Sequence, residues 1–121
     1  MGVLQKMINI LCVCQHGFSR STTMQWIVSQ DYNVKSYACG IDGNAVVPIN
    51  DILVSFADII ICAEDHHADY IQDNYKEESA DKTIISLGIP DIYEYRDGEL
   101  IQRINEGLAL VGFENEKAKY G

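Results

Sequence analysis

The sequence predicts an α/β fold, a three-layer sandwich in which a four-stranded parallel sheet lies between helices. Four short apolar runs are typical of strands that are buried on both faces. Segments with helical periodicity separate these runs, and such an alternation favours a parallel sheet with helices on both sides. The chain has 121 residues and shows no internal repeat or linker, so we expect residues 1–121 to form a single domain.

The charge of the chain argues against two classes of partner. Nine basic and 18 acidic residues give a formal net charge of −9. Such a surface repels nucleic acid and anionic membranes, so neither is an expected partner. No apolar run is long enough to span a bilayer, and the N-terminus does not resemble a signal peptide. An anionic substrate would therefore need a positive potential that is local to its site.

The cysteines indicate the redox environment. All four lie in or beside apolar, strand-like runs, at positions Cys12, Cys14, Cys39 and Cys62. This pattern is typical of buried or catalytic cytosolic thiols and not of a disulfide framework. We therefore expect a soluble, cytoplasmic protein.

The first strand leads into the most informative loop of the chain. The strand is predicted from the apolar residues 6–13 and ends at Cys14. A polar loop containing Gly17 follows, and a helix is predicted over about residues 21–30. Five residues separate Cys14 from Arg20. This order of strand, glycine-containing loop and helix is a setting in which backbone N–H groups form an anion-binding site.

The spacing of Cys14 and Arg20 suits a thiolate that attacks a bound phosphoryl group. The partial positive charge of such a loop favours the thiolate, which is the nucleophilic form of cysteine. The planar guanidinium of Arg20 matches two phosphate oxygens, and the hydroxyl of Ser21 can donate a hydrogen bond to the sulfur. A structural interpretation stays open, because a cysteine at a strand end is often simply buried and a serine after a loop is often an N-cap.

The middle of the chain continues the alternation of strands and helices. The predicted elements are a strand over 34–39, a turn-rich loop over 40–44, a helix over 49–56 after Pro48, a strand over 58–62 and a helix through about residue 75. Two adjacent histidines, His66 and His67, open the last of these helices and should point in different directions. Without a cysteine or acidic partner at a convincing spacing, we expect no metal site there.

The last third of the chain is predicted to contain a charged connection over 76–81, a strand over 83–87 and a helix over 98–111. Asp97 is the natural N-cap of this helix, and its apolar face comprises Leu100, Ile104, Leu108 and Val111. The tail after Gly112 is polar and should fray. Because parallel strands end at one edge of the sheet, Asp91, after the fourth strand, should face the same rim as Cys14.

Two stretches resemble a known family. Residues 14–21, Cys-Gln-His-Gly-Phe-Ser-Arg-Ser, resemble the phosphate loop of the low-molecular-weight protein tyrosine phosphatases. Residues 89–95, Ile-Pro-Asp-Ile-Tyr-Glu-Tyr, resemble the segment after the last strand in a short branch described as predicted protein tyrosine phosphatases. The resemblance implies a phosphomonoester hydrolase, and within that class a protein tyrosine phosphatase. Such an enzyme forms a phosphocysteine intermediate, needs no cofactor or metal, and acts on a phosphorylated substrate.

The resemblance also implies roles for single residues. Cys14 would be the nucleophile and Arg20 would bind the phosphoryl oxygens. Asp91 would be the general acid, since the family carries an acid on a loop at this place, and Asp97 is its rival. The further residues expected to contact phosphate or substrate are Gln15, His16, Gly17, Phe18, Ser19, Ser21 and Tyr93. Tyr93 and Tyr95 could wall the cleft, or could equally pack the loop.

The chain departs from the family pattern at two loop positions. Gly17 stands where the larger enzymes have asparagine, so the polar support of the loop should differ. Ser19 stands where many members have a second cysteine, so their protective disulfide is absent. Cys12 is a poor substitute, because two residues along one strand give unfavourable disulfide geometry.

Three other functions share some of these features. An arsenate reductase would need two further shuttling thiols, and although Cys62 could be one, Asp69 lies where its partner would be expected. A cysteine-type IIB phosphocarrier has a similar loop but generally lacks an arginine such as Arg20. A phosphoprotein-binding module without turnover is a third possibility, and the set of Cys14, Arg20, Ser21 and Asp91 argues against it.

Overall fold

The computed structural model describes residues 6–121 and has the predicted α/β architecture. Four parallel strands form one sheet in the order β2-β1-β3-β4. The strands are β1 (Ile8–Cys14), β2 (Val34–Gly40), β3 (Ile59–Cys62) and β4 (Thr83–Ser86). The helices are α1 (Arg20–Val28), α2 (Asp51–Phe56), α3 (Asp65–Asn74), α4 (Lys76–Ser79), α5 (Gly98–Leu110) and α6 (Phe113–Ala118).

Strand β1 is central because it pairs with a strand on each side and is covered on both faces. Its residues 10–13 are fully buried. One core joins Ile10 and Cys12 to α1 and α5, where Met24 and Ile104 are buried. The opposite core joins Leu11 and Val13 to residues of α2 and α3. The alternation of β1 side chains between the two cores explains its unbroken apolar sequence.

The carboxyl ends of the four strands meet at one edge of the sheet. Cys14 pairs in register with Gly40, and Cys62 pairs with Ser86. The segments that follow these ends form the loops of this edge, which we call the carboxyl edge. Ligands of open parallel sheets bind at such an edge.

The C-terminal tail is ordered, and the expectation that it frays was wrong. Helix α6 follows Gly112, and its Phe113 is 5% exposed. The ammonium of Lys117 forms an ion pair with Asp31, and Tyr120 shares a 2.7 Å hydrogen bond with Thr83. These contacts are made with residues distant in sequence, so the polar composition of the tail did not indicate them.

Smaller differences concern the ends of elements. Helix α1 begins at Arg20 and ends at Val28, and the connection over 76–81 contains the short helix α4. Leu100, Ile104 and Leu108 are buried as expected, whereas Val111 is 39% exposed. No helix in residues 6–121 is long and apolar enough to cross a membrane.

Candidate active site

The loop between β1 and α1 curls around the sulfur of Cys14. The Gly17 N–H donates a hydrogen bond to Cys14 Sγ at 3.2 Å. Cys14 Sγ also lies 3.2 Å from the Ser21 hydroxyl. Ser21 is inside α1 and fully buried, so it is not the N-cap of that helix. A thiolate at this position would receive hydrogen bonds from both groups, which stabilise the charged form.

A close contact between two glycines packs the loop against the end of β2. Gly17 has a φ of +65°, and a Cβ atom added to it would lie 2.9 Å from the backbone nitrogen of Gly40. A Cβ atom added to Gly40 would lie 2.5 Å from the nitrogen of Gly17. Neither position has room for a side chain, so the loop packs directly on the end of β2. Sequence reasoning predicted a turn at Gly40 but not this contact.

Backbone hydrogen bonds from the loop after β2 complete the support. The N–H groups of Ile41 and Asp42 donate to the carbonyls of Cys14 and Gln15, both at 3.0 Å. The N–H of Val46 donates to the His16 carbonyl at 3.1 Å. These bonds occupy the carbonyl oxygens of residues 14–16. Loop N–H groups other than that of Gly17, which donates to Cys14 Sγ, can therefore point toward an anion.

Arg20 is buried and anchored through one end of its guanidinium. It is 2% exposed. Its Nη1 donates to Glu64 Oε2 at 2.5 Å and to the Ile89 carbonyl at 2.8 Å. Its Nε lies 3.6 Å from Asp91 Oδ1. With Nη1 held by protein groups, the Nε side faces the carboxylate of Asp91, and this geometry suits a planar fork on two phosphate oxygens.

Glu64 is a site residue that sequence reasoning missed. It lies just after β3, at the same edge as Cys14 and Asp91. The hydrogen bond from Arg20 holds the pKa of its carboxyl below the usual value, so the group carries a negative charge at neutral pH. Its position after a buried strand was a signal that could have identified it, because polar residues at strand ends of a parallel sheet converge on one edge.

The two histidines of α3 lie closer together than the sequence suggested. Their ring centroids are 4.1 Å apart, and potential ligand atoms of Glu64, His66 and His67 lie within 4.8 Å of one another. The histidines therefore have an acidic neighbour, Glu64, that the sequence spacing had not indicated. However, the Glu64 N–H donates to His67 Nδ1 at 3.1 Å, so in the neutral ring Nε2 carries the proton and offers no lone pair.

The pKa of His67 supports the assignment of a neutral ring. Burial lowers the pKa of its ring to about 4, so the ring is neutral near pH 7. Its Nε2 has no hydrogen-bond partner among the described residues and lies 3.9 Å from Glu64 Oε2. Because Glu64 already binds Arg20, this cluster is better suited to positioning a guanidinium than to binding a metal ion.

A cleft of about 660 Å³ opens above the sulfur. Six of the residues predicted to contact substrate or take part in catalysis line it, namely Cys14, His16, Phe18, Ser19, Asp91 and Tyr93. Glu94 and Tyr95 also line it. Cys14 is 3% exposed, so a substrate must reach down to the sulfur.

Hydrogen bonds hold three further residues that the sequence analysis singled out. Gln15 directs its side-chain oxygen to His66 Nε2 at 3.2 Å. Tyr93 accepts a hydrogen bond from Arg103 at 3.1 Å, which fixes its ring at the wall of the cleft. Asp97 accepts hydrogen bonds from the N–H groups of Glu99 and Leu100 at 3.0 and 3.2 Å, as a helix N-cap does.

The other three cysteines are enclosed by the core. Cys12, Cys39 and Cys62 are fully buried and free. Burial raises the pKa of Cys39 to about 12 and raises the pKa values of Cys12 and Cys62 as well. Buried thiols of this kind are poor nucleophiles, which disfavours the thiol relay that an arsenate reductase requires.

Comparisons with solved structures identify the fold. The chain is similar to YfkJ from Bacillus subtilis, with 17% identity over 95% of this chain and 98% of that chain and a TM-score of 0.64. It is similar to a protein tyrosine phosphatase, with 19% identity over 84% of this chain and 95% of that chain and a TM-score of 0.64. A third similar structure is a cysteine-to-serine mutant of the YwlE arginine phosphatase with a phosphorylated active-site serine. It shares 16% identity over 93% of this chain and 94% of that chain, with a TM-score of 0.60.

These similarities extend over nearly the whole of each chain, so the protein has the α/β fold of these phosphatase structures. No protein-family model matches the sequence, and no curated protein matches it.

Proposed function

We propose that the protein is a phosphomonoester hydrolase that acts on phosphotyrosine in proteins through a phosphocysteine formed on Cys14. The observation that carries this proposal is the contact between Arg20 and Asp91 at the mouth of the Cys14 loop. Cys14 and Asp91 line one cleft, and Arg20 Nε lies 3.6 Å from Asp91 Oδ1, so a thiol, a guanidinium and a carboxyl group lie at the same site. The fold shared with a protein tyrosine phosphatase supports the proposal, and the four free thiols suit the reducing environment of the cytoplasm.

The reaction consists of two displacements at phosphorus. The Cys14 thiolate forms the S–P bond as the bond from phosphorus to the tyrosine oxygen breaks, and Asp91 donates a proton to the leaving phenoxide. Water then attacks phosphorus and gives its proton to the Asp91 carboxylate, which releases inorganic phosphate and the thiolate. The loop N–H groups and Arg20 hold the phosphoryl oxygens throughout.

The depth of the cleft favours an aromatic phosphate. Cys14 lies at its base, and the aromatic side chains of Phe18, Tyr93 and Tyr95 line its walls. A phenyl ring is long enough to carry the phosphate down to the sulfur and flat enough to stack on these walls. The short side chains of phosphoserine and phosphothreonine would hold the phosphate farther from Cys14.

Phosphoarginine is a second candidate substrate, because two carboxylates, Asp91 and Glu94, line the cleft. Their charge would suit a guanidinium leaving group, and one similar structure is an arginine phosphatase. Rates on matched peptides that carry phosphotyrosine or phosphoarginine at the same position would separate the two substrates.

The nucleophile is tested by exchanging single cysteines. Cys14→Ser should abolish hydrolysis of an aryl phosphate and leave the binding of inorganic phosphate largely intact. Cys12→Ser is the matched control, since it removes a buried thiol of the same strand, and it should retain most of the activity. Activity in the Cys14 variant, or absence of any turnover in the unmodified protein, would refute the proposed reaction and would favour a binding module.

A further inference from the structure

A second depression, which we call the apolar groove, lies beside the reaction cleft. It has a volume of about 540 Å³ and is lined mainly by Phe18, Trp26, Val46 and Tyr95, together with polar residues of α1. Phe18 is 69% exposed and Val46 is 70% exposed. Among residues 6–121 no charged side chain lines the groove, although the chain has a net charge of −9.

The groove adjoins the cleft, since Phe18 and Tyr95 line both. A molecule whose phosphate lies on Cys14 can therefore reach the groove by passing over these two aromatic side chains. Exposed apolar side chains also surround this region, since Val47 and Ile92 belong to the same loops of the carboxyl edge. Apolar surface gathered around a binding site is typical of a surface that contacts another protein.

The far wall of the groove is held in place by Arg96. Its guanidinium lies 4.1 Å from the centre of the Trp26 ring and 5.1 Å from that of Tyr95. Its backbone N–H donates to Thr23 Oγ1 at 3.0 Å, which fixes the segment that carries Tyr95 against α1. The groove is thus formed before a substrate binds, and a preformed pocket avoids the entropic cost of ordering its walls.

We infer that the apolar groove binds an apolar side chain of a phosphoprotein substrate, close in sequence to the phosphorylated residue. The inference rests on the proposed function, because the groove gains its role from its position next to the cleft. A small polar phosphometabolite would leave Phe18 and Val46 exposed to water, whereas a peptide fills both depressions at once. The acidic surface disfavours an anionic lipid layer.

A leucine scan tests this inference. A parent peptide of small polar residues around one phosphotyrosine is compared with peptides that carry a single leucine at each flanking position. At one or two positions on one side of the phosphotyrosine, leucine should raise kcat/KM roughly tenfold or more, as expected for an apolar subsite. Val46→Ser should remove this gain. It keeps the backbone N–H that donates to the His16 carbonyl and changes only a side chain outside the reaction cleft, so the rate on a small aryl phosphate should be unchanged. Ile52→Ser, on the exposed face of α2, is the matched control and should behave as the unmodified protein does.

The same peptides should be titrated against the Cys14→Ser variant, so that binding is measured without turnover. Absence of aryl phosphate hydrolysis in the unmodified protein would overturn the proposed function, whereas leucine-dependent binding that Val46→Ser abolishes would still support the groove. If leucine changes neither the rate nor the affinity at any position, the inference that the groove binds a substrate side chain is overturned, and the proposed function is unaffected. A flat scan combined with hydrolysis of octyl phosphate that is sensitive to Val46→Ser would point to a lipid phosphate and would also overturn the inference.

Discussion

Arg20 carries a positive charge in a nearly buried position, and such a charge is costly unless hydrogen bonds and an opposite charge compensate it. The Glu64 carboxylate and the Ile89 carbonyl do so through one nitrogen, Nη1. Glu64 therefore has two consequences for the site. It compensates the charge of the arginine, and it determines which side of the guanidinium is free to meet a phosphate.

The role of Glu64 can be tested by two substitutions. Glu64→Ala should lower kcat/KM on an aryl phosphate by roughly a hundredfold, because a displacement of about 1 Å in a binding group has effects of this order. Glu64→Gln keeps an oxygen that can accept from Nη1, so its rate should lie between that of the alanine variant and that of the unmodified protein. Asp65→Ala is the matched control, since the Asp65 carboxylate binds Ser86 and not Arg20. Normal rates in Glu64→Ala would show that Arg20 needs no such support.

The sequence could reveal the site residues that lie close to one another along the chain. Cys14, Arg20 and Ser21 lie within eight consecutive residues, from the end of β1 to the first turn of α1, and Cys14 Sγ lies 3.2 Å from the Ser21 hydroxyl. Glu64 and Gly40 contribute from other strands, and their contacts depend on how the sheet is assembled. Pattern reasoning could place these residues at the correct edge but could not pair them with Arg20 and Gly17.

At the scale of elements, the connection from β4 to α5 contains two aspartates with different surroundings. Asp91 lines the cleft and faces Arg20. Asp97 accepts hydrogen bonds from the first turn of α5. The sequence left the role of general acid open between them, and this geometry favours Asp91.

The two aspartates should therefore differ in their response to the leaving group. Asp91→Asn should lose far more rate on unsubstituted phenyl phosphate than on a phosphate with an activated phenol, because only the poorer leaving group needs a proton. Asp97→Asn should change neither rate strongly and should cost little stability, since asparagine caps helices about as well as aspartate does. Rates on both substrates and thermal melts would check this. A leaving-group dependence in Asp97→Asn with an unchanged melt would assign the acid to Asp97.

Elements differ in how far the sequence predicts them. The four strands and α5 have strong periodic or apolar patterns, and the structure confirms them with small changes at their ends. Helix α6 has a polar sequence, and it is held through Phe113, Lys117 and contacts with residues far along the chain. Its order depends on tertiary contacts, which a local pattern cannot show.

At the scale of the whole molecule, the buried ring of His67 links stability to pH. The pKa of the ring is near 6.5 in an unfolded chain and about 4 in the folded protein. Between these two values the unfolded chain binds more protons, so the free energy of unfolding must fall as the pH decreases from about 6.5 to about 4. Below about pH 4 the His67 ring is protonated in both states, so it no longer makes the free energy of unfolding depend on pH.

Substitution of His67 should remove this dependence. In His67→Asn the side-chain oxygen can still accept from the Glu64 N–H, and the loss of stability between pH 6.5 and pH 4 should shrink by roughly 3 kcal/mol. Denaturant unfolding at a series of pH values measures the effect. His16→Asn, which changes a side chain that is 59% exposed, should retain the slope of the unmodified protein. An unchanged slope in His67→Asn would show that the ring is protonated in the folded state.

The contact between Gly17 and Gly40 has a consequence for how the sequence can vary. In a library with every substitution at every glycine, selected for aryl phosphate hydrolysis, positions 17 and 40 should accept almost no other residue. Positions 43 and 98 should accept many, because a Cβ atom there meets nothing within 4 Å and the backbone has no positive φ. Enlarging one of the paired glycines cannot be offset by shrinking the other, since glycine is already the smallest residue. We therefore expect that neither glycine can be substituted, alone or together with the other. Active variants with another residue at position 17 or 40 would contradict the packing of the loop on β2.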